Sequence, residues 1–218
     1  MTWLFRAISW LPLAFLHALG GLLGWLVYGL SPTYRRRFKA NVAQAGIAWP
    51  EARPAIAAAG RMAAELPWLW VAQKGRPLGS KLQWDGAEHV EAALAAGKGL
   101  VLLTPHLGCF EICAQAIAER FTTPEAPITV LYRPARQASL REVMAGSRER
   151  PGLATAPAQL SGVRQMIRAL RKGEVVGLLP DQVPPEGLGV WAPFFGQPAY
   201  TMTLAARLVQ QTGAAVLL

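Results

Sequence analysis

The chain has 218 residues, enough for one sizeable domain, and 52% of them are hydrophobic while only 16% are charged, against about 25% charged residues in ordinary soluble domains. Its formal net charge of +9 suits an acidic partner, either nucleic acid or an anionic lipid surface. Eight tryptophans, an apolar N-terminus and the lack of a nucleic-acid-binding signature exclude nucleic acid and favour the lipid surface.

The N-terminal segment is predicted to be a membrane anchor. It contains no Asp, Glu, Lys or Arg from Ala7 to Tyr34, and about 20 apolar residues suffice to cross a bilayer. The following "SPTYRRRFKANVAQAG" reads as a helix that Ser31 caps and Gly46 ends. A cleaved signal peptide would have a shorter apolar core, so we expect residues 1–30 to remain as an anchor, spanning the membrane or lying in one leaflet. A buried hydrophobic hairpin in a soluble fold is the alternative.

A basic cluster follows the anchor at once, and no acidic residue occurs before Glu51. Basic residues beside an apolar segment stay cytoplasmic and bind anionic headgroups, so we expect most of the chain on the cytoplasmic face. Residues 31–80 are predicted to be a basic and amphipathic helical region, which Pro67 interrupts. The cluster consists of Arg35, Arg36, Arg37 and Lys39.

Residues 81–218 alternate between strand-like and helical patterns. The strands are "LVLLT", "ITVLY", "VVGLLP" and "AAVLL"; helices lie between them, and Ser161 is expected to cap the helix of "SGVRQMIRALRKG". This alternation predicts an α/β fold with a largely parallel central sheet flanked by helices. The chain ends on a run that resembles an interior strand, so we expect the sequence to continue beyond Leu218.

Polar residues follow three of the predicted strands. His106 comes after "LVLLT", Arg133 after "ITVLY" and Asp181 after "VVGLLP". Because ligands of open α/β sheets bind at the carboxyl ends of the strands, these residues are candidates for a functional site.

His106 and Glu111 are candidates for a catalytic pair. Five residues on a continuous helix would place their side chains about 140° apart, so the pair requires His106 in the loop before a helix and Glu111 in its first turn. Pro105 and Gly108 favour that arrangement. Glu111 would then accept from one imidazole nitrogen, and the other would take a proton from a substrate hydroxyl. A structural polar pair at a sheet edge is the alternative.

Other hydrolytic chemistries lack their residues. There is no H-E-x-x-H, no G-x-S-x-G and no serine near His106, and Cys109 and Cys113 read as small core residues. A base without a protein nucleophile points to direct attack by a bound hydroxyl on an activated acyl group. The amino end of the following helix, or an arginine, could stabilise the oxyanion. No metal or redox cofactor is predicted.

Together these segments resemble the late acyltransferases of lipid A biosynthesis, of the lauroyl and myristoyl type, which are related to lysophospholipid acyltransferases. "TPHLGCFE" is similar to the family's H-x4-E motif, which often reads His-Phe-Gly-Asn-Trp-Glu. The resemblance extends along most of the chain, through "SPTYRRRFKANVAQAG", "LYRP", "SRER", "IRALRKGEVVGLLPDQ" and "APFFGQPAYT". The last three segments, in order and at family-like spacing, make it specific.

The resemblance implies an enzyme at the bacterial inner membrane with its α/β part, residues 81–218, on the cytoplasmic face. Members transfer a fatty acyl chain, usually from acyl-carrier protein, to a hydroxyl of an acylated glucosamine lipid. His106 would be the base and Glu111 its partner, while Arg133, Arg148 of "SRER" and Asp181 of "PDQ" would bind substrate. The expected partners are acyl-carrier protein or acyl-CoA, a lipid A precursor and anionic membrane lipids.

Several departures and alternatives accompany this prediction. "GCF" replaces the usual "GNW", and family members normally run beyond residue 218. Arg148 could be a surface arginine and Asp181 a turn residue. The acceptor could be a glycerolipid or another glycolipid, although glycerolipid acyltransferases typically carry H-x4-D. A membrane-anchored lipid-binding module without catalysis would not need the histidine and carboxylate.

Overall fold

The structure is a computed structural model that describes residues 2–72, 76–79, 82–132 and 150–218. It divides into two compact units. We call Met1–Ala72 with Trp191–Tyr200 the helical unit, and Gln73–Val190 with Thr201–Leu218 the sheet unit.

The helical unit is built from short helices around one long apolar helix. Ser31 caps the third helix as predicted, because its side-chain oxygen accepts from the Tyr34 backbone N–H at 3.3 Å. Gly46, with φ +67°, follows the end of that helix at Gln44. The helices are α1 (Thr2–Ser9), α2 (Leu13–Leu30), α3 (Pro32–Gln44), α4 (Trp49–Ala52) and α5 (Pro54–Pro67), followed by a π-helical turn, Trp68–Ala72.

Glycines let α2 and α5 approach closely. A Cβ added at Gly20 would lie 2.6 Å from the Gly60 carbonyl oxygen, and one added at Gly24 would clash with the carbonyl oxygen of Ile56. Small residues spaced four apart are the usual basis of such tight helix contacts. The same two helices share a polar contact, in which His17 Nε2 lies 2.5 Å from Glu65 Oε1.

The opposite side of α2 is apolar and exposed. Among the described residues, α2 is the helix long and apolar enough to cross a membrane, with a mean hydropathy of 1.7 and only 22% of it buried. It is therefore a candidate membrane anchor. Its exposed large side chains include Phe15, Leu22, Leu23, Trp25, Leu26, Val27 and Leu30.

The strands are β1 (Leu100–Leu103), β2 (Ile128–Tyr132), β3 (Leu153–Pro157), β4 (Val175–Leu178), β5 (Gly189–Phe194), β6 (Gln197–Met202) and β7 (Ala215–Leu217). The sheet unit contains a five-stranded parallel sheet whose order is β3-β2-β4-β1-β7. Leu100 on β1 pairs with Val175 on one side and Ala215 on the other. Two further strands, β5 and β6, form a separate hairpin, of which Trp191–Tyr200 belong to the helical unit.

Helices cover both faces of the sheet and bury its two cores. The helices of this unit are α6 (Ala87–Ala95), α7 (Glu111–Phe121), α8 (Leu160–Arg171) and α9 (Leu204–Thr212). On one face, Val90 of α6 and Ile117 of α7 pack on strand residues that include Leu100, Ile128 and Val175. On the other face, α8 and α9 contribute Met166, Leu170 and Leu208 to a core with Val101 and Val176.

This architecture confirms the predicted fold class, a largely parallel sheet flanked by helices. One local prediction is wrong: Ser161 does not cap α8, because that helix begins at Leu160 with Gln159 at its N-cap and has no side-chain cap. Strand β3 and the β5–β6 hairpin were not predicted, because their short exposed segments lack the long apolar run of a buried strand.

Candidate active site

Two neighbouring strands carry the central residues of the site. β1 and β4 are parallel and in register, with Leu103 opposite Leu178, and the Thr104 backbone N–H still donates to the Leu178 carbonyl at 3.0 Å. The loops that follow therefore leave the sheet side by side. The first carries His106 and the second carries Asp181.

The Asp181 carboxylate holds His106 at two points. Its Oδ1 lies 2.7 Å from the imidazole Nδ1, and its Oδ2 accepts from the His106 backbone N–H at 2.8 Å. Both side chains stay accessible to a substrate, with 32% of the imidazole and 39% of the carboxylate exposed. One carboxylate thus fixes both the loop and the ring.

The contacts of the imidazole define which nitrogen can act as a base. Because the carboxylate accepts at Nδ1, that nitrogen carries the proton, and Nε2 presents its lone pair. The side-chain amide of Gln182 lies 3.2 Å from Nε2 and can donate to it. The Phe110 ring packs against the imidazole at a centroid distance of 4.7 Å. A substrate hydroxyl that approached Nε2 would take the place of the Gln182 amide.

The electrostatics favour an ionised Asp181. Partial burial by itself would raise the pKa of this carboxyl group, but the hydrogen bonds from the imidazole and the backbone N–H of His106 outweigh it. The pKa of Asp181 therefore lies below its ordinary value. The residue can serve as a fixed negative charge beside the imidazole.

Glu111 lies where the sequence places it. It is the first residue of α7, and His106 lies in the preceding loop, where Gly108 has φ +55°. The two residues therefore do not lie on one continuous helix. This meets the geometric condition of the catalytic hypothesis. The described ring contacts of His106 involve Asp181, Gln182 and Phe110, and pairing with Glu111 stays a prediction.

A cavity of about 60 Å³ lies between α7 and the face of the sheet that carries Leu102, Ile128 and Val130. Its polar lining comes from Thr104, Glu111 and, one helical turn after Glu111, Gln115. The remaining lining is mainly aliphatic.

Comparisons with known proteins show the family to which the chain is similar. The family model described as bacterial lipid A biosynthesis acyltransferase matches residues 1–218. The chain belongs to this family.

The similar proteins include two acyltransferases whose names refer to different lipids. The chain is 32% identical over 137 residues to a phosphatidylinositol mannoside acyltransferase of Mycobacterium tuberculosis, an alignment that covers 61% of this chain and 41% of the relative. It is also 32% identical over 127 residues to a lipid A biosynthesis acyltransferase of Haemophilus influenzae, covering 58% of this chain and 38% of that protein. The alignments thus span about two-fifths of the relatives' own length.

The structure brings together only part of the predicted site. His106 and Asp181 are in direct contact, whereas Arg133 and Arg148 lie outside the described residues. The sequence suggested Asp181 as a substrate-binding residue and did not suggest its contact with the imidazole. Gln182 was missed, although its place beside Asp181 after a buried strand was a usable signal.

Proposed function

We propose that the protein is a membrane-bound O-acyltransferase that transfers a fatty acyl chain from a carrier thioester to a hydroxyl of a lipid A precursor. The observation that carries this proposal is the orientation of His106. Its Nδ1 is held by Asp181, and its Nε2, 3.2 Å from the Gln182 amide, is left as an acceptor. Membership of the family supports the reaction class.

The reaction follows from these positions. Nε2 of His106 accepts the proton of the acceptor hydroxyl as its oxygen attacks the thioester carbonyl carbon. The resulting imidazolium is stabilised by the Asp181 carboxylate beside Nδ1. Collapse of the tetrahedral intermediate forms the ester, breaks the carbon–sulfur bond and releases the thiolate, which takes the proton back from the imidazolium.

The remaining predicted residues have supporting roles in this proposal. Glu111 is a second carboxylate near the imidazole loop and helps to orient either His106 or the acceptor. Arg133 and Arg148 bind the anionic groups of the substrates. The donor is acyl-carrier protein or acyl-CoA, and no metal or redox cofactor takes part.

The helical unit is the proposed membrane attachment, at the cytoplasmic face of the bacterial inner membrane. The exposed apolar side of α2 would enter the lipid. In the basic cluster, Arg35 donates to the Gly29 carbonyl oxygen at 2.9 Å and so closes the end of α2. The exposed Arg36, Arg37 and Lys39 are left as the groups that bind anionic headgroups.

One relative suggests a second acceptor class. The mycobacterial relative is named for phosphatidylinositol mannoside, and its identity to this chain equals that of the lipid A enzyme. The same chemistry on another glycolipid is therefore the alternative. A lipid-binding module without catalysis would tolerate the loss of His106.

The test is an acyl-transfer assay on the purified protein with acyl-carrier-protein and CoA donors. The acceptors are a Kdo-bearing lipid A precursor and, in parallel, phosphatidylinositol mannoside. We expect transfer to the first, and a loss of roughly 10²–10⁴-fold in His106→Ala.

The matched control is His89→Ala, since His89 lies on α6 with 70% of its side chain exposed. It should retain the wild-type rate. Transfer only to the mannoside would select the alternative acceptor, and an unimpaired His106→Ala would exclude His106 as the base.

A further inference from the structure

The cavity beside the site has a polar feature that its aliphatic lining does not explain. It lies between α7 and the sheet, and its free volume depends on the absence of a side chain at Gly177 of β4. A Cβ at Gly177 would lie only 3.0 Å from Val130 Cγ1 and 3.4 Å from Ile128 Cδ1. One ordered water needs roughly 10–15 Å³, so about 60 Å³ holds several waters or a short segment of chain.

Gln115 is buried in this lining, and its side-chain oxygen has no partner among the described residues. The residue is 2% exposed, and its Oε1 makes no hydrogen bond to the part of the chain that the structure describes. Buried side-chain oxygens are nearly always hydrogen-bonded, and an unsatisfied one destabilises the protein. A methionine or leucine would fill the same position among aliphatic neighbours without that penalty. The amide therefore points to a ligand that supplies the missing donor.

The position of Gln115 connects it to the active site. It lies one turn after Glu111 on the same face of α7, and both residues line the cavity. Thr104, in the loop that leads to His106, also lines it. A ligand segment in the cavity would thus be continuous with the place where transfer is proposed to occur.

We propose that this cavity binds a hydroxyl-bearing segment of an acyl chain, whose hydroxyl donates to Gln115 Oε1 while its methylenes pack on Leu102 and Val130. The proposal rests on the acyltransferase function proposed above. An unsubstituted chain would displace water from the amide and leave it unpaired, whereas a hydroxylated chain replaces the lost hydrogen bond. Sites that bind a substrate hydroxyl discriminate strongly against analogues that lack it. Gln115 is therefore a specificity-determining residue.

The direct test is calorimetric binding of dodecanoic acid and its 2-hydroxy and 3-hydroxy derivatives to the purified protein. We expect at least one hydroxy acid to bind about 10-fold more tightly than dodecanoic acid, and Gln115→Leu to abolish that preference. Gln211→Leu, the same change at an exposed position of α9, should keep it. Equal binding of all three acids to the wild type, or a preference that survives in Gln115→Leu, would overturn the proposal.

A second variant shows whether the acids bind in this cavity. Ala114→Leu adds bulk to the lining and should weaken binding of all three acids. Unchanged binding in that variant would place the acids elsewhere and overturn the assignment. Thermal melts of both variants check that they fold. Because free acids bind without transfer, these results stand even if the protein proves not to be an acyltransferase.

Initial rates of acyl transfer then show whether the acyl chain in the cavity belongs to the donor or to the acceptor. Initial rates are compared for hydroxylated and unsubstituted donors, and separately for acceptors whose acyl chains do or do not carry an additional hydroxyl. A preference for the hydroxylated donor that Gln115→Leu removes assigns the cavity to the donor chain. The same result with acceptors assigns it to the acceptor chain. Rates that respond to neither would overturn a role in substrate selection.

Discussion

The carboxylate of Asp181 contacts both the imidazole and the main chain of His106, at 2.7 Å and 2.8 Å. A contact to the ring alone would leave the loop free to shift, and a contact to the backbone alone would leave the ring free to rotate. The two together fix the position of Nε2 relative to the sheet. Asp181 is thus a positioning residue for the proposed base.

Replacing Asp181 by Asn is expected to lower acyl transfer roughly 10²–10⁴-fold without unfolding the protein. The amide can donate to Nδ1, which would shift the proton to Nε2 and remove the lone pair that accepts the substrate proton. Initial rates measure the loss. Asp85→Asn, at an exposed position outside the site, should behave as wild type, and a wild-type rate in Asp181→Asn would contradict the positioning role.

The pKa of Asp181 should respond to removal of the imidazole. In His106→Ala the side-chain hydrogen bond is lost while the backbone N–H remains, so the pKa should rise from its depressed value toward the ordinary 3.8. Because the pKa of Asp181 is lower in the folded protein than in the unfolded chain, the ionised carboxylate stabilises the fold at pH values above its ordinary pKa. This contribution is lost as the pH falls through the lowered pKa of the folded protein. Carbon-detected NMR titration measures both pKa values, and an unchanged value would show that the imidazole has little influence.

Glu111→Gln tests the second carboxylate. If Glu111 acts through His106, the substitution should slow transfer by roughly 10–100-fold, the effect of losing one hydrogen bond to a charged group. The double variant with Asp181→Asn should then lose less activity than the product of the two single fold-losses in rate. The reason is that the effects of residues acting through one group are not additive. Rates of the two single variants and the double variant measure this coupling. Glu125→Gln, in an exposed loop, is the control, and a fully active Glu111→Gln would remove Glu111 from the mechanism.

Charges on the exposed side of α2 should release the protein from membranes. Leu22 is 67% exposed and Leu26 51% exposed, and burial of one leucine in lipid contributes about 1.5–3 kcal/mol. Leu22→Glu and Leu26→Glu should therefore each weaken binding to phosphatidylethanolamine–phosphatidylglycerol vesicles by about 10-fold or more. Co-sedimentation measures it. Leu160→Glu, at a 66% exposed leucine of the sheet unit, should bind normally. Normal binding by the α2 variants would argue against insertion of this face.

Local chemistry made much of the fold predictable. Apolar runs such as "LVLLT" and "VVGLLP" became β1 and β4, and the glycine and proline around His106 correctly indicated a loop before α7. The first turn of α7 contains Glu111 because an acidic residue is favoured there. These features depend on neighbours in the sequence, which patterns report well.

The contacts that define the site depend on strand order, which no local pattern reports. Asp181 reaches His106 only because β4 lies next to β1, and the alternation of strands and helices does not reveal which strands are neighbours. The surroundings of Gln115 likewise depend on how α7 packs on the sheet, so the helical sequence alone did not single this residue out. The roles of Arg133 and Arg148 stay predictions, since both lie outside the described residues.

The insertion of β4 between β2 and β1 has a consequence for biosynthesis. His106 and Asp181 are 75 positions apart, so a nascent chain leaves the ribosome with its histidine long before its aspartate. Until β4 enters the sheet, the imidazole lacks the Asp181 carboxylate that holds it. Long-range pairing of this kind closes a large loop and is slow compared with helix formation. The arrangement proposed for catalysis would therefore form late in folding.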